Sequence, residues 1–381
     1  MKLLIVDSHQ SKASDAYSET EGMGGIISSL LYLSDSLAAE GHEVNLGILS
    51  EPTRRKSGVT VLDCTCIPTS FLSDIDAVIV SNNALNLPMV KQIVAPHVPV
   101  FLWVHIQHNV MFHDLGCLAH YLDTDYALLA DGIVFVSEWQ KQIFLREFPN
   151  TIPAERCCVI RNACNPFVLR GPASLTDATD TLFTRKRAAL EVAYVSAPTR
   201  GLDTLLEIWP TVRAACPNVR LAVYSGQSIY GVRKEADQYG WLSDGMPDGA
   251  EYRGPLSHAN LAERLFDTAI VAYPTAFEET SGIAPIEALA AGCSLICSDR
   301  GALPESTAGF ATMLRYDDAN LPAFKDAFTA ALIAKIRQWE SGDPALKNRM
   351  HQQRAAFTAN YQWKNRALEW MSLIAMQQNL S

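Results

Sequence analysis

The chain has 381 residues, 31 of them basic and 41 acidic, for a formal charge of −10; 48% are hydrophobic and 19% charged. That composition fills sizeable cores and excludes an intrinsically disordered chain. At roughly 150 residues per domain the length points to two domains. The acid excess excludes a general nucleic-acid binder, which needs a basic face to displace counterions, but leaves room for a local basic pocket holding a small anion.

Lys2–Asp7 is a short apolar run ending in a polar loop, the pattern of a buried parallel strand. It stops at Asp7, too short for a signal-peptide core, and no uncharged apolar run reaches the ~18 residues that span a bilayer. From Gly25 to Glu40, the residues Ile26, Ile27, Leu30, Leu31, Leu33 and Leu37 recur at helical spacing, with Gly41 placed as the C-terminal cap. Strands follow at Val44–Leu49, Ala77–Ser81, Pro99–His105 and Ile133–Ser137. The nine cysteines have no regular spacing. Cys64-x-Cys66 and Cys157-Cys158 make poor zinc or disulfide frameworks, so reduced thiols and a cytoplasmic location are expected. Asn165–Asp180 has the composition of a linker. A second cycle then begins, with strands at Ala193–Val195, Val219–Ser225, Ala269–Pro274 and Ser294–Ser298. Its helices are Leu202–Ala215, Ala259–Phe266 and Ile283–Ala291. From Leu321 onward the tail reads as helical throughout, with Trp363 and Trp370 on one face. Alternation of this kind implies α/β halves built on parallel sheets.

The densest constellation is Pro274–Glu305, PTAFEETSGIAPIEALAAGCSLICSDRGALPE. A strand ends at Pro274 and a loop carries Glu278 and Glu279. A helix then opens at Ser281-Gly282, with Ser281 as its expected N-cap. Pro285 in the first turn costs no hydrogen bond. The amides of Gly282, Ile283 and Ala284, at the positive end of the helix dipole, suit an anion or sugar hydroxyls. Glu279 and Glu287 flank this start, and carboxylates accept paired hydrogen bonds from vicinal hydroxyls. Taken alone, each acid also reads as a dipole-complementing or solvated side chain.

This segment resembles the E-x7-E motif of retaining glycosyltransferase family 4, with Glu279 and Glu287 as its two acids. Gly301-Ala302-Leu303-Pro304-Glu305 is similar to that family's Gly-Gly-x-Pro-Glu turn, with Ala302 replacing a glycine. The resemblance implies a GT-B fold: two Rossmann-like domains whose parallel sheets face a central cleft, and a C-terminal helix crossing back to the N-terminal domain. Residues 1–168 with 361–381 would form the acceptor-side domain and 169–360 the nucleotide-sugar-binding domain.

Further positions follow the same resemblance. Gly24-Gly25 would open the first helix with the Gly25 amide towards the donor diphosphate; a Rossmann dinucleotide site fits this cluster poorly, because Ile27 stands where its third glycine belongs. His105, ending the strand Phe-Leu-Trp-Val-His, is similar to the histidine that bonds the donor sugar, with His108 and His113 nearby. Arg161-Asn162-Ala163 resembles a Pro-Asn-Gly turn. Arg200-Gly201 resembles the Lys-Gly step that binds the diphosphate, and guanidinium binds phosphate in a bidentate way. Val195 stands where a second base is usual, so Arg161, Arg253 or Arg300 would have to supply that charge.

The implied activity is retaining transfer of a hexose from a nucleotide-diphosphate sugar to a saccharide or lipid-linked acceptor, in surface polysaccharide or glycoconjugate synthesis. The implied catalytic group is Glu279, His105 and Arg200. The donor-binding group is Gly25, Arg200, Ser281, Gly282, Ile283, Ala284 and Glu287, with Gly24, Arg161, Asn162 and Arg253 as outer candidates. No cofactor and no metal is required, and Asp74-x-Asp76 and Asp123-x-Asp125 are chance matches to a metal-holding D-x-D. A lipid-linked acceptor would bring the enzyme into peripheral contact with the inner face of the cytoplasmic membrane. The alternatives are a GT-B-fold nucleotide-sugar epimerase and a non-catalytic nucleotide-sugar-binding protein.

Overall fold

The computed structural model describes residues 1–11, 22–49, 52–55, 57–72, 74–107, 124–149, 152–171, 179–228, 238–243 and 245–379. Contacts divide the chain into one unit of Met1–Tyr17, Gly25–Ala163 and Trp363–Ser381, and another of Ser18–Gly24 and Cys164–Gln362.

In chain order the first unit contains β1 (Lys2–Ser11), α1 (Gly25–Ala39), β2 (Glu43–Leu49), β3 (Thr53–Arg54) and β4 (Thr60–Asp63). Next come α2 (Thr69–Leu72), β5 (Ala77–Ser81), α3 (Leu87–Ile93), β6 (Val100–Val104), α4 (Thr124–Ala127), β7 (Gly132–Phe135), α5 (Glu138–Glu147) and β8 (Cys157–Val159). The sheet runs β3-β4-β2-β1-β5-β6-β7-β8, and only the two-residue β3 is antiparallel to its neighbour. Its central strands are apolar without alternation because both faces are covered; Leu3, Leu4, Ile5, Val78, Ile79, Phe101 and Leu102 are all buried. Strand order reverses between β1 and β5, the switch point outside which doubly wound sheets bind ligands.

The second unit holds α6 (Pro166–Arg170), α7 (Thr179–Ala189), β9 (Glu191–Val195), α8 (Leu202–Ala215), β10 (Arg220–Tyr224), β11 (Ala250–Tyr252), α9 (His258–Asp267) and β12 (Thr268–Tyr273). It continues with α10 (Ile283–Ala290), β13 (Ser294–Ser298), α11 (Leu303–Ser306), β14 (Thr312–Leu314), α12 (Leu321–Ser341) and α13 (Pro344–Asn360). Its sheet is parallel, ordered β11-β10-β9-β12-β13-β14, with the reversal between β9 and β12. Lys186 of α7 is fully buried, yet its ammonium donates to the carbonyls of Leu265 (2.5 Å) and Thr268 (2.7 Å). Those carbonyls close α9, where a cation also complements the helix dipole.

The final helix, α14 (Trp363–Gln378), belongs to the first unit, as expected of a C-terminal helix that returns to the N-terminal half. Trp370 packs edge-on against Phe101 and Trp103, with ring centroids 5.8 and 5.5 Å away, and Trp363 meets Tyr32 of α1. One local expectation needs correction. The expected linker contains α6, because the Asn165 side chain accepts the amide of Phe167 and Pro166 opens the turn; residues 172–178 lie outside the described range. The tail is helical, as expected, and consists of three helices. Gly342 in a left-handed conformation ends α12, Pro344 restarts the chain, and Tyr361-Gln362 separates α13 from α14. No helix among the described residues is long and apolar enough to cross a membrane.

Candidate functional site

The second unit gathers its polar residues at the C-terminal edge of its sheet, around the β9/β12 switch point. Arg200 follows β9 through a single 3-10 turn, Pro198–Arg200. The next residue must be glycine: Gly201 has φ +98°, and a Cβ there would lie 2.3 Å from the Pro274 carbonyl oxygen. This close approach carries Arg200 over the loop after β12. Its Nε lies 3.0 Å from Glu279 Oε1, and its guanidinium stacks on Phe277 at 3.3 Å from the ring centroid.

Glu279 is held from three sides. Its Oε1 accepts the Tyr273 hydroxyl at 2.7 Å, its carbonyl accepts the Ala302 amide at 2.7 Å, and its backbone bridges to Gly301. Gly301 has φ +65°, and a Cβ on it would fall 2.3 Å from the Glu279 carbonyl oxygen. The Gly-Ala-Leu-Pro-Glu turn therefore acts mechanically, by letting the acid loop close on its backbone. Burial, then the adjacent Glu279, holds the Tyr273 phenol well above its usual range, so it stays protonated and donates. Its oxygen also lies 3.3 Å from Ser196 Oγ.

After Glu279 the chain enters α10. The N-cap is Gly282 in a left-handed conformation, φ +73°, and no side chain caps the helix. Ser281 is thus not the cap expected of it: it is buried one residue earlier, because the left-handed turn falls at the glycine. As the first amides of α10, those of Ile283 and Ala284 have no intrahelical acceptor. Glu287 lies on the buried side of α10, only 5% exposed. Burial raises its carboxyl to about 8, opposed by a hydrogen bond from the Asn165 amide. Below about pH 8 it is a neutral acid.

Arg253 and Arg300 are both already paired with acids. Arg253 pairs with Glu191 and Glu251, both at 3.0 Å, and donates to the Tyr224 hydroxyl at 2.6 Å. Glu191 opens β9, so this guanidinium sits at the opposite end of that strand from Arg200. Arg300 does reach the same edge, donating to the Ala276 carbonyl at 3.0 Å and facing Glu278 and Asp318 at 3.7 and 3.6 Å. Val195 is buried as the last residue of β9.

In the first unit His105 follows β6 and is buried, its ring 4.2 Å from that of Trp103. Burial lowers the imidazole to about 3, so it is neutral. Gly25 is the exposed first residue of α1, whose carbonyl takes the hydroxyls of Ser28 and Ser29, and Gly24 is buried just before it. Arg161 is exposed and interacts electrostatically with Glu138 and Glu369. Asn162 is buried, and its Oδ1 has no hydrogen-bond partner among the described residues. Asp76 accepts the Lys2 amide at 2.6 Å, a structural task, whereas His108, His113 and Asp123 lie outside the described residues. Among the described residues no cluster of three or more His, Cys, Asp or Glu could hold a metal ion.

Sequence reasoning missed Tyr273, Ser196 and Phe277. A signal existed for Tyr273: a tyrosine ending a buried strand needs a partner for its hydroxyl, and Glu279 is six residues on.

Residues 189–334 match the family model described as glycosyl transferases group 1. No curated protein matches the sequence. Among solved structures, sucrose-phosphate synthase from Thermosynechococcus elongatus is similar over 100% of both chains, with TM-score 0.67 and 18% identity. A glycosyltransferase from Rickettsia africae matches with TM-score 0.67 and 14% identity, over 100% of this chain and 99% of its own. HepE from Anabaena, in complex with UDP and glucose, gives TM-score 0.67 and 13% identity over 99% of this chain and 100% of its own. The two reversed parallel sheets, the acid loop closed on Gly301 and the family match over the second unit lead to one conclusion: residues 189–334 form a domain of the glycosyl transferases group 1 family, in a chain with the GT-B fold.

Proposed function

We propose that the chain transfers a hexose, with retention of anomeric configuration, from a nucleotide-diphosphate sugar to a saccharide or lipid-linked glycan in surface polysaccharide or glycoconjugate synthesis. One observation carries this reading: Arg200 stands over the acid loop that leads into the uncapped start of α10, at the β9/β12 switch point. A cation beside free helix amides suits a diphosphate. The similar HepE structure, which holds UDP and glucose, supports the donor class.

In this reading Arg200 and the amides of Ile283 and Ala284 stabilise the negative charge that grows on the diphosphate as it leaves. Such donors bind the transition state more tightly than the ground state and so catalyse. Glu279 accepts hydroxyls of the donor sugar, with Tyr273 and Arg200 fixing its carboxylate. Glu287 binds the ribose hydroxyls. In the first unit, neutral His105 hydrogen-bonds a sugar hydroxyl.

A thermal-shift screen against UDP-, GDP- and ADP-sugars tests the proposal. A donor at 100 times its dissociation constant stabilises by ~2.7 kcal/mol. The preferred donor should shift the melting temperature of the natural protein, and Glu287→Ala should abolish that shift. An undiminished shift in the variant refutes the ribose assignment, and no shift from any donor refutes the donor class.

A further inference from the structure

The geometry points to Asn82 as a positioning residue for His105, one whose side chain completes the sheet where its own backbone leaves it. This inference rests on the proposed contact of His105 with the donor sugar. In the parallel ladder between β5 and β6, Ser81 stands opposite Trp103. One step further, the Asn82 amide still donates to the Trp103 carbonyl at 2.8 Å. The next bond of such a ladder would run from the His105 amide to the Asn82 carbonyl. It does not form. Asn82 has φ +56°, a left-handed conformation that turns the chain out of the sheet, and the Asn83 amide folds back on the Ser81 carbonyl at 2.6 Å.

The Asn82 side chain takes over the lost place. Its Oδ1 accepts the His105 amide at 2.7 Å, and its Nδ2 donates to Ser81 Oγ at 3.1 Å. The position therefore needs two properties together: tolerance of a positive φ and a short side-chain acceptor. Asparagine and aspartate combine them, glycine offers only the first, and alanine offers neither. Because Asn82 is 7% exposed, no water replaces a missing acceptor cheaply. The bond fixes where the chain departs from β6, and hence how the His105 ring lies against Trp103.

The test is a double-mutant cycle read by steady-state transfer kinetics and melting temperature. Asn82→Gly keeps the backbone conformation and removes the acceptor. It should lower kcat between about tenfold and a hundredfold, the range for a displaced catalytic geometry, while the melting temperature falls by roughly 2–12 °C, the cost of one unmet buried bond. Asn82→Asp, which restores the acceptor, should stay within about threefold of the natural protein. In a His105→Ala background, Asn82→Gly should cost nothing more, the non-additivity of residues acting through one another. Equal losses in both backgrounds, or no loss in either, overturn the inference. His105→Ala measured alone reads the underlying assignment: if it leaves kcat and KM unchanged, the contact with the sugar falls first, whatever Asn82 does.

Discussion

Replacing Glu287 by Gln removes a buried ionisation while keeping the shape of the side chain, and its effect on pH-dependent stability follows from the structure. Burial raises the folded-state value to about 8, from 4.5 for a free glutamate. Below pH 4.5 both states hold the proton. As pH rises towards 8, the unfolded chain has lost its proton while the folded protein keeps it, so stability falls by ~1.36 kcal/mol per unit. Above pH 8 both are ionised and the slope vanishes. The full fall is about 5 kcal/mol, of which about 2.5 kcal/mol lies between pH 5.5 and 7.5. For a unit of about 200 residues, at 2–4 °C per kcal/mol, that is a loss of about 5–10 °C in melting temperature. Differential scanning fluorimetry of the natural protein and Glu287→Gln, side by side across this range, isolates the contribution because every other titrating group is common to both. The variant should lose most of the slope. Parallel pH profiles would refute the reasoning, by showing that Glu287 is ionised in the folded state. A side chain that costs stability at neutral pH is also what a binding residue leaves behind before its ligand arrives.

Tyr273→Phe removes the hydroxyl that donates to Glu279; about a tenfold fall in kcat with little change in donor KM is expected, since an unmet buried bond costs about 1–3 kcal/mol, and an unchanged kcat would show that Arg200 alone orients the acid. Lys186→Met strands the Leu265 and Thr268 carbonyls at the end of α9 and should destabilise the second unit by about 2 kcal/mol, seen as a urea midpoint shifted at constant slope; a neutral effect would mean that relief of the buried charge offsets the lost bonds.

Much of this protein was legible in its sequence. Apolar runs bounded by polar turns located the central strands, because strands covered on both faces cannot hide among polar neighbours; Ala77–Ser81 and Ser294–Ser298 occur as expected. The short outer strands β4, β8, β11 and β14 escaped notice, being three or four residues long and partly exposed, so that pairing rather than pattern defines them. The E-x7-E spacing located the acid loop, because helix geometry makes spacing a local property. Local pattern could not show that Arg200 and Glu279 would pair or that Arg253 would turn to the far end of β9. Partners 79 and 62 residues apart along the chain meet there only through sheet order and strand length. The ionisation of Glu287 was hidden for the same reason, since the burial that raises it comes from packing that no neighbour in sequence supplies. Composition and periodicity thus determined the two α/β halves and the position of the motif. Tertiary structure alone decided which charges meet, because desolvation and pairing depend on distances that the parallel crossovers set.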